Sequence, residues 1–406
     1  MRANPRSLLL VAAVALLPAC DRVLDEAVTA VATPPLDAPT LVAPSAEAVV
    51  AFRTAFEGAA QAGDADALGA LFDWRTLAMR ALQGLPVPES MLQGFEVGAA
   101  EAARRSGVVA SFAPVGEGTA SLRYLGTESR DGHTWHTWRF LHDEGGFDHI
   151  SLLLATDEAG VVRVVDTHQL TTGEPMAQVV RRMVLPAVAR DAGSVVERVS
   201  GRTGAYFKQL EKIKAAQLVS VAGRPAEALA VLDTLSPELA TERWVLIQKV
   251  HFAGMVSDEA YAAAIEDLRT HHPGHPTTGL HLIDGYTMAG RHDDALAAVD
   301  TVQAGALPDA HFDVVRSSLQ LLAGRHSEAE ASAVRAIVAE PTLMMAHWGL
   351  VSVRLATGDH TGVTDALLGL HGQFGVEFDF TGIPEFDAYV GTPEHLRLLE
   401  SMRGGP

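Results

Sequence analysis

A single cysteine, Cys20, stands in 406 residues. That excludes an intramolecular disulfide, a Cys-x-x-Cys redox pair and any multi-thiolate zinc site. Lysine is nearly as scarce, with only Lys208, Lys212, Lys214 and Lys249, and 50 acidic against 31 basic residues leave a net charge of -19. So little counter-charge excludes a nucleic-acid binder, which must neutralise phosphates. The apolar run Leu8 to Leu17 rises only about 15 Å as a helix, half the thickness of a bilayer core, and cannot span it alone. Phosphate-loop, His-Glu-x-x-His and Gly-x-Ser-x-Gly motifs are missing. Gly116 to Ser121 approaches a dinucleotide fingerprint, but it lacks the third glycine and a following helix. The expectation is a non-enzymatic chain without a cofactor, since none of these signatures of catalysis or nucleotide binding occurs. His271, His272 and His275 flank Pro273 and Gly274 in a loop without a carboxylate neighbour, so they read as solvated imidazoles and not as a metal site.

What is present begins with an address. Arg2 and Arg6 precede the apolar run, which ends Leu17-Pro18-Ala19-Cys20, the layout of a secretory signal peptide over residues 1–19. The ending resembles the bacterial lipoprotein signal. The resemblance implies cleavage before Cys20, acylation of that residue and attachment to a membrane of the cell envelope, facing the periplasm. Asp21 resembles the inner-membrane retention signal of enteric bacteria. Pro34, Pro35, Pro39 and Pro44 make residues 20–45 a semi-rigid tether.

Residues 46–195 read as an α+β domain. Ser45 precedes a helix with Val49, Phe52 and Phe56 on one stripe, and Asp64 caps a second helix carrying Leu68, Leu71 and Leu82. A third helical pattern runs over 88–105. The hydrophobic period then changes to 2, with four runs near 119–128, 133–142, 147–156 and 161–170, separated by Asp- and Gly-rich turns. This predicts an antiparallel β-meander, followed by a helix over 175–190. The order of helices and meander, with the Gly63-Asp64 junction, resembles the cone fold of the nuclear transport factor two superfamily. The stretch Val164 to Glu174 also resembles bacterial envelope proteins that join such a module to tetratricopeptide repeats. Strict alternation puts His136, Trp138, Asp148, Asp166 and His168 on one inward face. These form a candidate pocket where a carboxylate beside an imidazole would serve as a base, the alternative being strand-end groups that are solvated or that form a structural Asp-His hydrogen bond.

Beyond Ala205 a spaced signal replaces the strands. Ala222-Gly223-Arg224, Ala289-Gly290-Arg291 and Ala323-Gly324-Arg325 each lead into an alanine four residues on, and Gly254 and Gly358 sit at matching places. Successive glycines are 31, 36, 34 and 34 residues apart. The pattern resembles the tetratricopeptide repeat and predicts an all-α helical repeat solenoid of about five units over 205–391, with a capping helix and tail over 392–406. In that family the first helix of each unit lines the concave face. Counting back from the glycines, the resemblance places Trp244, Gln248, His251, Leu280, Asp284, Thr287, Trp348 and Ser352 there as partner-binding candidates, the alternative being that the tryptophans fill gaps between repeats. None of these is basic, so the expected partner is a protein or peptide with an apolar or mildly basic segment. The favoured function is a membrane-anchored envelope scaffold for protein interactions. A small-ligand module, or an enzyme using the Asp/His cluster, is the alternative.

Overall fold

A computed structural model describes residues 34–106, 108–142, 146–192 and 202–403. The chain divides into two compact units, one ending at Pro273 and one beginning at Gly274.

In the first unit, helix α1 (Ala46–Gln61) starts where the Ser45 hydroxyl accepts from the Ala48 amide at 3.2 Å, and it turns Phe52 and Phe56 inward. Asp64 caps α2 (Ala65–Ala70) in the same way. The expected single helix through Leu82 is instead two. The chain breaks at Leu71 to Asp73, and Asp73 accepts from the Thr76 amide at 2.8 Å to start α3 (Trp74–Leu82). The break has a cause in the sheet, because the Asp73 amide donates to the Val164 carbonyl and the Val164 amide donates to the Leu71 carbonyl. Helix α4 (Glu89–Ser106) and a short α5 (Ala113–Gly116) lead to the sheet.

The sheet is a five-stranded antiparallel meander in the order β1 (Ala120–Arg130), β2 (His133–His142), β3 (Phe147–Thr156), β4 (Val162–Gln169), β5 (Glu174–Pro175). Asp131 and Gly132 both have positive φ, 51° and 74°, the backbone of a two-residue primed hairpin whose twist suits the strands. Trp138, Phe140, Ile150, Leu152, Leu154 and Val164 line the face toward the helices. Phe56 meets Trp138 edge-on at 5.1 Å and Phe112 at 5.2 Å, contacts worth about 0.5–1.5 kcal/mol each beyond area burial.

Residues 34–45 are not a free spacer. Leu36 exchanges backbone hydrogen bonds with Leu85 and Gly84, and the Thr156 amide donates to Val42. Leu41 packs on Trp135, Leu153, Ala155 and Val165, on the sheet face opposite the main core. The segment is a strap across the domain.

Helix α6 (Met176–Ala192) follows the sheet. The change of period near residue 200 marks a change of secondary structure but not of packing. Helices α7 (Gly204–Val221), α8 (Pro225–Leu232), the short α9 (Pro237–Ala240), α10 (Arg243–Gly254) and α11 (Asp258–His271) complete the first unit. Phe207, Leu210, Ile213, Leu232, Val245 and Phe252 belong to the same buried cluster as Phe56 and Trp138.

The second unit is a run of paired helices. These are α12 (Pro276–Met288) with α13 (His292–Ala304), α14 (His311–Leu322) with α15 (His326–Ala339), and α16 (Met344–Thr357) with α17 (His360–Phe374), before α18 (Pro393–Arg403). Gly290 and Gly324 sit between paired helices at φ 68° and 72°, where a side chain would be strained. In the first unit Gly254 departs from the pattern. It ends α10 without positive φ, and its face meets the Tyr261 ring, so Ser257 starts the next helix by accepting from the Ala260 amide.

Two glycine substitutions separate strain from clash. Gly324→Ala has open space around its new methyl and should cost only the left-handed backbone penalty, about 1 kcal/mol. Gly116→Ala would place its Cβ 2.5 Å from the Gly63 Cα and should cost several times as much. Urea denaturation of the full chain checks the ranking, and equal losses would refute it.

Candidate functional site

The repeat positions chosen from sequence fall into two groups. Trp244 is half-buried against the core of the first unit. Its indole N–H donates to Glu242 at 3.0 Å, and the Arg182 guanidinium lies 4.3 Å over its ring while pairing with Glu174. Trp348 packs edge-on against Phe378 at 6.0 Å, inside the cluster that closes the C-terminal end of the second unit. Both rings are thus engaged by their own chain, and each is half-buried. The reason is size, because a large ring at a helix pair gains more from filling the gap beside it than from facing water. Gln248 is half-buried, with its Oε1 lacking a hydrogen bond, and His251 packs against Phe252 at 5.9 Å. Leu280, Asp284 and Thr287 are half-buried, Thr287 donating to the Ile283 carbonyl at 2.6 Å, and Ser352 is exposed.

The sequence reading passed over a different column. Two residues before the turn glycines stand Val221, Met288 and Leu322, which are 66%, 47% and 59% exposed. Met288 and Leu322 end the first helices of successive pairs in the second unit. Counting two places back from Gly290 and Gly324 would have found them. Arginines of the same unit are paired with acids. Arg316 pairs with Asp300 at 2.7 Å, Arg335 with Asp313 at 2.9 Å and Arg325 with Asp293. Met288 and Leu322 are thus exposed apolar groups in a unit whose arginines are engaged by its own acids.

The Asp/His cluster does not assemble. Pairing between β3 and β4 shifts between Leu153 and Leu154, so that Leu153 faces Asp166 while Leu154 faces Val164. Val165 is the extra residue of a bulge. Beyond it the faces exchange, and Asp166 and His168 leave the face of Val164 and Trp138. His168 now pairs across from Ser151, its ring 6.4 Å from Trp135. His136 stays on the core face, where Tyr124 contacts its Nδ1 at 3.2 Å and burial lowers its pKa. Asp148 sits opposite Phe140 and accepts from the Thr171 amide and hydroxyl at 3.1 and 2.7 Å. Asp166, fully buried, accepts from the Thr167 and Ala177 amides and from Arg80. The two carboxylates are held by separate hydrogen-bond sets, Asp148 by Thr171 and Asp166 by Thr167, Ala177 and Arg80. The histidines of the 271–275 loop are likewise separately held. His271 contacts Asp267, His272 meets the Thr241 carbonyl at 2.7 Å, and His275 caps α12.

No family model matches the chain, and no curated protein matches it. Two solved structures are similar to part of it. One is the MamA RS-1 ArsTM double mutant, at 15% identity and a TM-score of 0.36, covering 41% of this chain and 93% of that one. The other is MamA 41-end from Desulfovibrio magneticus RS-1, at 16% identity and 0.35, covering 41% and 97%.

Asp148 carries a pH signature. Burial raises its pKa to about 6 against the pull of the Thr171 hydrogen bonds. Between the ordinary carboxylate value near 4 and about 6, the folded state keeps a proton that the unfolded state has lost, so this group removes stability as pH rises through that window. Asp148→Asn should flatten that part of the pH–stability curve. Urea midpoints at both ends of the window, compared with wild type, check it, and an unchanged difference between the two proteins would count against the assignment.

Proposed function

We propose that the chain is a lipid-anchored envelope scaffold that holds another protein through its helical repeats. The observation that carries this reading is the repeated exposure of Met288 and Leu322 at one position of successive helix pairs. Lone exposed apolar residues are ordinary, but recurrence at the repeat period gives an extended partner matching anchor points. The six paired arginines of the second unit, Arg291, Arg316, Arg325, Arg335, Arg354 and Arg397, leave the surface acidic. The fitting partner is thus an apolar segment flanked by neutral or basic residues. An enzymatic role is not part of this reading, because the sequence carries no phosphate-loop, His-Glu-x-x-His or Gly-x-Ser-x-Gly motif. The element order of that domain supports kinship with the cone fold, and the fold contributes a platform here.

Membrane attachment rests on Cys20 and the apolar run before it, which lie outside the described residues. Among those described, no helix is long and apolar enough to cross a membrane. Acyl chains on Cys20 would supply the anchor, each buried methylene adding about 0.8 kcal/mol. The proposed location is the periplasmic side of the envelope, with Asp21 favouring the inner membrane.

A photo-crosslinker at Leu322 in living cells should capture a discrete partner. Met288→Glu, read by a crosslinker at the neighbouring exposed Ser318, should weaken capture by about 1–2 kcal/mol, as loss of one interface anchor does. Undiminished capture by the folded variant would dismiss this surface. Separately, Cys20→Ala should abolish acyl labelling and release the protein from membranes, and a labelled variant would disprove the anchor.

A further inference from the structure

A cleft of about 460 Å³ opens beside the Arg80–Asp166 pair of the first unit. Arg80, Arg181, Gln178, Gln83 and His133 supply polar lining beside Asp166, and Pro39, Leu41 and Pro175 supply apolar wall. The two arginines differ from those of the repeats. Arg181 donates through Nη1 to the carbonyls of Ala81 and Gln83, both at 2.9 Å, at the C-terminal end of α3. It meets no carboxylate among the described residues, and burial lowers its pKa. Arg80 directs Nε and Nη2 to one oxygen of Asp166, each at 3.2 Å. The other oxygen takes the Thr167 and Ala177 amides at 2.9 and 3.0 Å. The carboxylate is thus saturated, while Arg80 Nη1 and the remaining nitrogens of Arg181 make no hydrogen bond among the described residues. The other acid of the cleft, Asp131, lies exposed in the β1–β2 turn.

We propose that this cleft binds a small organic monocarboxylate, its oxygens held between Arg80 and Arg181 and its apolar portion laid on Pro39, Leu41 and Pro175. The guanidinium is suited to carboxylate oxygens because it offers paired donors in one plane. With Arg80 balanced by Asp166, the inner cleft has one uncompensated positive charge, which one carboxylate neutralises. The apolar wall selects an acid with a hydrocarbon part over a compact inorganic anion. The strap, which brings Pro39 and Leu41 to this wall, gives the α+β domain a role separate from the repeats.

Calorimetric titration of the full chain with hexanoate, hexanamide, acetate and inorganic phosphate tests the assignment. Hexanoate should saturate one site. Hexanamide should bind about tenfold more weakly or worse, since it lacks the charge that strengthens the hydrogen bonds. Acetate should lose about three- to fourfold per methylene that hexanoate buries, and phosphate should not displace hexanoate. Gln178→Glu places a carboxylate in the first turn of α6, where it suits the helix dipole. It should leave the thermal midpoint unchanged or higher and reduce hexanoate affinity about tenfold or more. Arg181→Met should lose binding as well. Failure of hexanoate to saturate, equal binding of hexanamide, full competition by phosphate, or unchanged affinity in Gln178→Glu would overturn the proposal.

Discussion

The α+β domain is held together at Asp166. This carboxylate is fully buried, and three elements reach it: the bulged strand β4 through the Thr167 amide, α6 through Ala177, and α3 through Arg80. Burial pushes its pKa up, against the pull of Arg80 and the two amides, and both of its oxygens are occupied. A buried ion stripped of one partner is strongly destabilising, which makes the positions of α3 and α6 against the sheet depend on each other. The bulge at Val165 is the backbone adjustment that delivers Asp166 to this meeting point. The same adjustment carries His168 away from His136 and dissolves the cluster that regular alternation would have formed.

The elements announced by local chemistry were legible in the sequence. Ser45 and Asp64 marked helix starts, Asp131-Gly132 marked a hairpin, and Gly290 and Gly324 marked the turns between paired helices. Each acts through its own backbone or a neighbour three residues away. What the sequence concealed depends on distant partners. The helix break at Leu71 to Asp73 comes from pairing with Val164, and a single extra residue in β4 leaves the apolar pattern unchanged while exchanging two side chains between faces. Trp244 could be counted back from its glycine, but nothing nearby in sequence reveals that Arg182 lies over its ring. Met288 and Leu322 were countable by the same rule. An aliphatic side chain at a helix end carries no local signal that separates an exposed position from a buried one.

In the second unit the helix pairs are joined by acid–arginine contacts between successive helices, as with Arg316 and Asp300 or Arg354 and Glu330. Such exposed pairs contribute little individually, about 0–1 kcal/mol. Their larger effect is on the surface, because each arginine they hold is unavailable for attracting an acidic partner.

The strap also sets the order in which the domain would yield to force. Leu36 is hydrogen-bonded to Leu85 and Gly84, Leu41 lies on the Trp135 cluster, and Val42 is paired to Thr156, in that order along the chain. A pull from the N-terminal side loads these attachments one after another, as a zipper is opened, and peels the strap before any load reaches α1. The strap is thus a sacrificial element in tension, and its first few bonds shield the core from whatever tugs on the chain ahead of it.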